Sequence, residues 1–133
     1  MVGESICYVD ASALVKLVLP EPESQPLLTF LAKSSRHVTH RIAIVEVVRA
    51  VTRREPAAQP RAAEVIAHLD LVDLDAELVD TAAAVEPASL RTLDAIHLAG
   101  ALRMGADLSA VVTYDQRLAD AARAAGLPVV SPA

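Results

Sequence analysis

Short, wholly apolar segments alternate with longer helical segments along this sequence, and no other feature restricts the possible fold as strongly. The apolar segments, such as residues 6–9 and 110–112, lack the polar–apolar alternation of a strand with one face in water. Strands that are buried on both faces and joined by helices form a parallel sheet that is covered on each side. We therefore expect an α/β fold, with residues 1–133 forming a single three-layer domain around a five-stranded parallel sheet flanked by helices.

The individual elements follow from apolar periodicity and from proline and glycine signals. The expected strands are residues 5–10, 37–40, 71–74, 110–113 and 128–130. The expected helices are residues 11–19, 24–33, 42–54, 60–69, 75–85, 90–104 and 116–125. Gly105 and Gly126 follow two of these helices at the C′ position, where a left-handed residue commonly ends a helix.

The composition narrows the function before any motif is considered. The chain carries a net charge of −5, only 2% of its residues are aromatic, and it has one cysteine, Cys7. An acidic chain does not hold nucleic acid by bulk positive charge, and so few rings argue against base-stacking modules. One cysteine excludes an internal disulfide and a cysteine-cluster zinc site. Charges interrupt the first eighteen residues and no apolar stretch is long enough to span a membrane, so we expect a cytoplasmic protein with Cys7 reduced and buried.

Four acidic residues stand out by position. Two of them lie at the edge of the expected sheet, and two lie in apolar segments where burying a charge is costly. Asp10 and Asp115 follow the first and fourth expected strands, whereas Glu46 and Asp94 lie within apolar helical segments. The carboxyl ends of parallel strands share one edge of a sheet, and ligands of such folds bind beyond that edge. The two helical acids could point at the same edge.

Each of these acids also has a purely structural explanation. Asp10 and Asp115 are good helix N-caps, and Asp94 could be one if its helix starts late. Glu46 could turn outward, or pair with an arginine three or seven residues further on. His97, one turn after Asp94 on the same apolar helix, is expected to be a satisfied core residue rather than a ligand.

Taken together, the four acids predict a metal site. Carboxylates that meet at one edge repel one another unless a hard divalent cation neutralises them. Ligands that are all oxygen select Mg²⁺ or Mn²⁺ over zinc or copper. Such a cation activates a nucleophile and stabilises a leaving oxygen in phosphoryl transfer, so the residues by themselves predict a metal-dependent phosphodiesterase.

Several segments resemble the motifs of the PIN domain family. Residues 8–17 (YVDASALVKL) are similar to the opening motif of that family, residues 90–99 (LRTLDAIHLA) to its third, and residues 111–118 (VVTYDQRL) to its last. Glu46 and the arginines that follow it are similar to the helix that bears a glutamate in that family. The likeness runs from residue 6 to residue 130, and it is greatest to VapC, the toxin half of VapBC toxin–antitoxin pairs.

The resemblance implies a Mg²⁺- or Mn²⁺-dependent endoribonuclease, the toxin of a type II toxin–antitoxin system that inhibits translation and growth until its antitoxin neutralises it. It also implies a homodimer and a complex with a cognate VapB-like antitoxin, whose basic tail would block the acidic pocket. By matching position it implies an acidic quartet supported by two hydroxyls: Asp10, Glu46, Asp94, Asp115, Ser12 and Thr113. One departure is Ala11, where many relatives carry Ser or Thr.

Positive charge is concentrated in one part of the chain. Six of the twelve lysines and arginines lie within residues 36–61, opposed there by two glutamates, which gives a local net charge of +4. Solvated helix faces would explain this cluster. A basic rim that binds RNA phosphates or the antitoxin would explain it too, and the candidate residues are Arg41, Arg49 and Arg53.

A second class of function stays open from the sequence. If every acid is only a cap or a surface charge, the chain is a PIN-like module that binds RNA or protein through a degenerate, non-catalytic acidic site. No segment of the sequence is a base-recognition motif, so the RNA target is not predicted.

Overall fold

The computed structural model describes residues 5–133, and the first four residues of the expected domain lie outside that range. The strands are β1 (Ile6–Val9), β2 (Arg36–His40), β3 (Asp70–Val72), β4 (Leu108–Val112) and β5 (Val129–Val130). The helices are α1 (Ala11–Val18), α2 (Ser24–Leu31), α3 (Ile42–Arg54), α4 (Gln59–Ala67), α5 (Ala76–Ala84), α6 (Thr92–Arg103) and α7 (Gln116–Ala124). Strands and helices therefore alternate broadly as the apolar pattern predicts.

The five strands form one sheet in the order β3-β2-β1-β4-β5, and every pair in it is parallel. This confirms the expected five-stranded parallel sheet. The chain runs outward from β1 to β3 on one side and then returns to add β4 and β5 on the other. The strand order thus reverses between β1 and β4, which is where parallel α/β sheets bind their ligands.

A hydrophobic core covers each face of the sheet. All four residues of β1 are buried, and they alternate between the two faces. Cys7 and Val9 belong to the core formed with α1, α2, α3 and α4, whereas Ile6 and Tyr8 belong to the core formed with α5, α6 and α7. The three-layer arrangement and the burial of Cys7 are confirmed, and this explains why the strands show no polar–apolar alternation.

Several element boundaries differ from the sequence-based expectation. α6 begins at Thr92 rather than at residue 90, because residues 87–90 form a turn in which the Leu90 amide donates to the Pro87 carbonyl at 2.9 Å. β4 begins two residues earlier than expected and ends one residue earlier. Gly105 (φ +59°) and Gly126 (φ +84°) adopt the predicted left-handed conformation after their helices. Within residues 5–133 no helix is both long and apolar enough to cross a membrane.

Candidate active site

The site forms where β1 and β4 lie side by side at the reversal of strand order. The Asp10 amide donates to the Val112 carbonyl at 3.2 Å, so the two strands stay paired to their carboxyl ends. Asp10 therefore leaves β1 beside the segment 113–115 that leaves β4. Residues about 100 positions apart in the sequence meet here because the sheet order, and not the chain order, sets their neighbours.

Asp10 is held by its surroundings on both oxygens. Its Oδ1 accepts from the Ser12 hydroxyl at 2.7 Å and from the Ala13 amide at 3.2 Å, and its Oδ2 accepts from the Thr113 hydroxyl at 2.7 Å. The side chain caps α1, as its N-cap explanation required. Burial raises the pKa of Asp10, and these hydrogen bonds only partly offset the effect.

Asp115 is joined to Asp10 through one threonine. The Thr113 hydroxyl that donates to Asp10 also accepts from the Asp115 amide at 3.0 Å. Asp115 Oδ1 caps α7 by accepting from the amides of Arg117 and Leu118 at 2.9 and 3.3 Å. Capping occupies only Oδ1, so the second oxygen of this carboxylate is left for other contacts.

Asp94 occupies the first turn of α6 and not the helix interior that the expected 90–104 helix implied. Because α6 starts at Thr92, the helix dipole favours an acid at this position. It is also not the N-cap, which is Arg91. Burial raises the pKa of Asp94, and so do the negative charges of the other three predicted ligands, Asp115, Asp10 and Glu46. Neither oxygen of Asp94 accepts a hydrogen bond from another residue of the range 5–133.

Glu46 does not pair with the arginines that follow it on α3, which corrects one of the two structural explanations offered for it. Its Oε1 lies 2.6 Å from Nε2 of His97 on α6. His97 is buried, as expected of a core histidine, and its Nδ1 lies 2.7 Å from the Tyr8 hydroxyl. The sequence alone does not predict that His97 contacts a site residue. Its spacing of one helical turn from Asp94 is the pattern that indicates its place, because that spacing puts both side chains on one face of α6.

The chemistry of this donor set fits a hard divalent cation. Within residues 5–133 no lysine or arginine forms an ion pair with Asp10, Asp94 or Asp115, so no paired cationic side chain offsets their mutual repulsion. As placed, no three acidic, histidine or cysteine side chains of that range converge closely enough to bind one ion directly. Mg²⁺ commonly keeps several waters and takes only one or two carboxylates directly. The residues therefore fit an ion held partly through water.

A groove of about 710 Å³ opens beside Glu46 between α1, α3 and the start of α6. Ser12 and Glu46 line it together with Arg49 and Arg53, and neither arginine forms an ion pair within the described residues. Arg41, the third candidate, does not line this groove and instead pairs with Asp73. Of the four predicted ligands, Glu46 thus lies next to two guanidinium groups that are not in ion pairs.

A larger cavity than this groove lies elsewhere. It measures about 1170 Å³ and is bounded by the loop 85–91 and by α6 and α7. None of the four predicted ligands lines it, although Arg91 and Arg117 do. Its size alone does not make it the reactive site, because Asp10 and Asp94, the candidate ligands whose pKa is raised, do not line it.

The chain belongs to the PIN domain family, whose model matches residues 7–124. Within that family it is of the VapC type. It is 43% identical over 125 residues to Ribonuclease VapC46 of Mycobacterium tuberculosis, which covers 94% of this chain and 96% of that protein. It is 44% identical over 129 residues to Ribonuclease VapC35 of the same species, with the same coverage.

Solved structures support the same fold. VapC20 of Mycobacterium tuberculosis, described as a sarcin–ricin loop cleaving toxin, superposes with a TM-score of 0.75 at 18% identity and covers 95% of this chain and 99% of its own. VapBC2 from Rickettsia felis, bound to a DNA fragment from its promoter, superposes with a TM-score of 0.73 at 15% identity and covers 96% and 99%.

Proposed function

We propose that this protein is a Mg²⁺- or Mn²⁺-dependent endoribonuclease, with residues 1–133 acting as one PIN-type domain. The observation that carries the proposal is the electrostatic repulsion among carboxylates near the reversal of strand order, where no lysine or arginine of residues 5–133 is paired to Asp10, Asp94 or Asp115. The relatives named as ribonucleases support RNA as the substrate. When bound, the ion would supply Lewis acidity and a lowered pKa for water at the scissile phosphate.

The residues of this chain would divide the remaining work. Asp10 is the rigid ligand, because three donors fix its carboxylate. Asp94 and Asp115 each present at least one oxygen that no described protein donor occupies, so they complete the negative pocket. Ser12 and Thr113 contribute by holding Asp10 and not by touching the ion. Glu46 lines the groove and would contribute Oε2, because Oε1 already contacts His97.

The groove beside Glu46 supports a route for RNA. Arg49 and Arg53 are the described arginines of its lining, and a guanidinium binds a phosphate through two parallel hydrogen bonds. Apolar residues such as Val45 and Leu93 line the rest. With so few aromatic side chains in the chain, the RNA would be held by its backbone and not by stacked bases.

We further propose that the protein is the toxin of a toxin–antitoxin pair in the cytoplasm, active as a homodimer and blocked by a VapB-like antitoxin with a basic tail. The 39–44% identity to VapC proteins across nearly the whole chain supports this role. Induction of the chain alone in a bacterial host is expected to stop translation and growth, and Asp10→Ala is expected to abolish that effect. Equal toxicity of both chains would contradict it.

Cleavage by the purified protein tests the proposal directly. RNA is expected to be cut with Mg²⁺ or Mn²⁺ and to remain intact with EDTA. Asp94→Asn is expected to lower the rate by roughly 100-fold or more, beyond the loss typical of an outer-shell partner. Ser109→Ala, an exposed change near the amino end of β4 and away from the carboxyl ends of the strands, is the matched control and is expected to cut normally.

The second candidate is a PIN-like module with a non-catalytic acidic site. The absence of three convergent ligands among residues 5–133 is the observation that favours it. It predicts no cleavage and no increase in melting temperature with Mn²⁺. If the wild type cleaves RNA and Asp94→Asn cleaves it at the same rate, the assignment of Asp94 as a ligand is contradicted, although the protein is still a nuclease.

A further inference from the structure

Three side chains from three elements form a continuous hydrogen-bonded chain beneath the acidic pocket. The Tyr8 hydroxyl of β1 lies 2.7 Å from Nδ1 of His97 on α6, and Nε2 of the same ring lies 2.6 Å from Oε1 of Glu46 on α3. Tyr8 and His97 are buried, and the Glu46 side chain is 23% exposed. The chain therefore runs from the core to the groove.

The direction of these hydrogen bonds follows from the groups themselves. A carboxylate only accepts, so Nε2 must carry a proton to contact Glu46. In a neutral imidazole Nδ1 is then an acceptor, and the Tyr8 hydroxyl is the donor that faces it. Every donor meets an acceptor in this arrangement. The tautomer of His97 is thus set by Tyr8 on one side and by Glu46 on the other.

The Tyr8 ring packs against α6 at a position where the helix has a glycine, Gly100. A Cβ atom at Gly100 would lie 2.9 Å from Cε2 and 3.0 Å from the hydroxyl oxygen of Tyr8. Glycine inside a helix costs about 1 kcal/mol relative to alanine. The ring of Tyr8 also meets His97 edge-on, with centroids 5.8 Å apart. Gly100 therefore opens the space in which the phenol reaches the imidazole.

We propose that His97 is a positioning residue that acts through Glu46: its Nε2 proton holds Oε1, which leaves Oε2 as the oxygen that would serve the divalent ion of the acidic site. This rests on the proposed metal-dependent function. Glu46 has three rotatable side-chain bonds, and without a partner it would have to be ordered when the ion binds. The imidazole orders it beforehand, and Tyr8 in turn fixes the ring.

A side chain that only filled this part of the core would need no such arrangement. An apolar side chain of similar size would fill the core without burying polar atoms, which are costly unless they are hydrogen-bonded. Here both ring nitrogens are satisfied, and one of the two partners belongs to the acidic site. The hydrogen bonds from Tyr8 to His97 and from His97 to Glu46 are of the kind by which outer-shell residues orient metal ligands.

The test compares His97→Asn with His97→Gln by calorimetric titration with Mn²⁺ alone. The two variants carry the same amide and differ by one methylene, and only glutamine extends it to the position of Nε2. His97→Asn is expected to weaken Mn²⁺ binding by about 10–100-fold, and His97→Gln to stay within a few-fold of wild type. In a Glu46→Gln background, His97→Asn is expected to cause no further loss, because it acts through that carboxylate.

Nitrogen NMR of the metal-free protein gives a second readout that is independent of activity. His97 is expected as a neutral ring protonated at Nε2, and Tyr8→Phe is expected to move only the Nδ1 resonance strongly. Ile96→Val, which removes a buried methylene from the same helix, is the control and is expected to change neither Mn²⁺ affinity nor the His97 spectrum.

The outcomes separate this proposal from the one on which it rests. If the wild type does not bind Mn²⁺, both proposals fall. If the wild type binds it and His97→Asn binds it equally well, the positioning role is overturned while the metal-dependent function stands. A ring protonated at Nδ1 instead of Nε2 would overturn the positioning role as well.

Discussion

Asp10 and Asp115 combine two roles that are alternatives when only the sequence is considered. Each caps the helix that follows its strand, and each also faces the reversal of strand order. A cap uses one carboxylate oxygen, which leaves the other for a second task. In Asp10 that second oxygen is held by Thr113, and the same hydroxyl orients the Asp115 backbone. Capping therefore positions these carboxylates for the site.

Asp94 differs from these two caps, because no protein donor within the described residues holds its carboxylate and its surroundings disfavour the charged form. Asp94→Asn is expected to raise the melting temperature of the metal-free protein by about 1–3 °C, because it removes one unfavourable charge. The raised pKa sets the sign with pH. Below pH 3.8 both states are protonated and the charge-related gain of the variant is absent. As pH rises further the unfolded chain releases its proton first, so the gain grows until the folded pKa is passed.

Thermal melting of both proteins in EDTA, from pH 3 to pH 8, measures this difference. Asp80→Asn, on the exposed surface of α5, is the matched control and is expected to show no such growth with pH. A variant that melts lower than wild type at pH 8 would contradict the assignment of Asp94 as an uncompensated charge.

At the scale of elements, α6 carries the residues that couple the core to the site. Asp94, His97 and Gly100 follow one another at intervals of three residues, so they lie along one side of the helix. The helix is buried along seven consecutive residues, from Ala95 to Ala101, which is why its sequence shows almost no amphipathic pattern. The residues proposed for the site are therefore harder to separate from packing residues on α6 than on an amphipathic helix.

Gly100→Ala tests the packing of α6 against β1. Alanine ordinarily stabilises a helix interior relative to glycine, yet here its Cβ would overlap the Tyr8 ring. The substitution is expected to destabilise the protein by about 1–3 kcal/mol in urea unfolding, the range for overpacking a core. In a Tyr8→Leu background, which removes the contacting ring atoms, the same change is expected to be far less harmful. Equal destabilisation in both backgrounds would show that Tyr8 is not the cause.

At the scale of the whole molecule, the net charge of −5 does not describe the local charge around the candidate site. Under the proposed function, a divalent ion would offset part of the negative charge at the strand ends, while Arg49 and Arg53 line the adjacent groove. An acidic protein can thus approach RNA through a local surface whose sign differs from its average.

Metal binding is expected to stabilise the folded state by linkage. At a free Mn²⁺ concentration of one hundred times Kd, the gain is about 2.7 kcal/mol, and the melting temperature rises accordingly. The Asp10→Ala/Asp94→Ala double variant is expected to show no rise, and EDTA is expected to reverse the rise in the wild type. A melting temperature that does not respond to Mn²⁺ in the wild type would argue for the non-catalytic module.

The sequence predicted the elements well and their contacts only in part. The fully apolar strands predicted burial on both faces, and β1 shows it at every residue. Gly105 and Gly126 marked the ends of α6 and α7, because only residues tolerant of positive φ end helices in this way. The start of α6 was wrong by two residues, since the turn at residues 87–90 depends on backbone hydrogen bonds that no side-chain pattern reveals.

What the sequence by itself determined is the set of local structures and the four acids at conspicuous positions, because periodicity and capping are properties of neighbouring residues. Only the tertiary structure decided that β1 lies beside β4, that Thr113 joins Asp10 to Asp115, and that Glu46 contacts His97 rather than an arginine. These partners are separated by up to 103 residues. Their meeting depends on how whole elements pack, and several registers and helix rotations would satisfy the same apolar pattern.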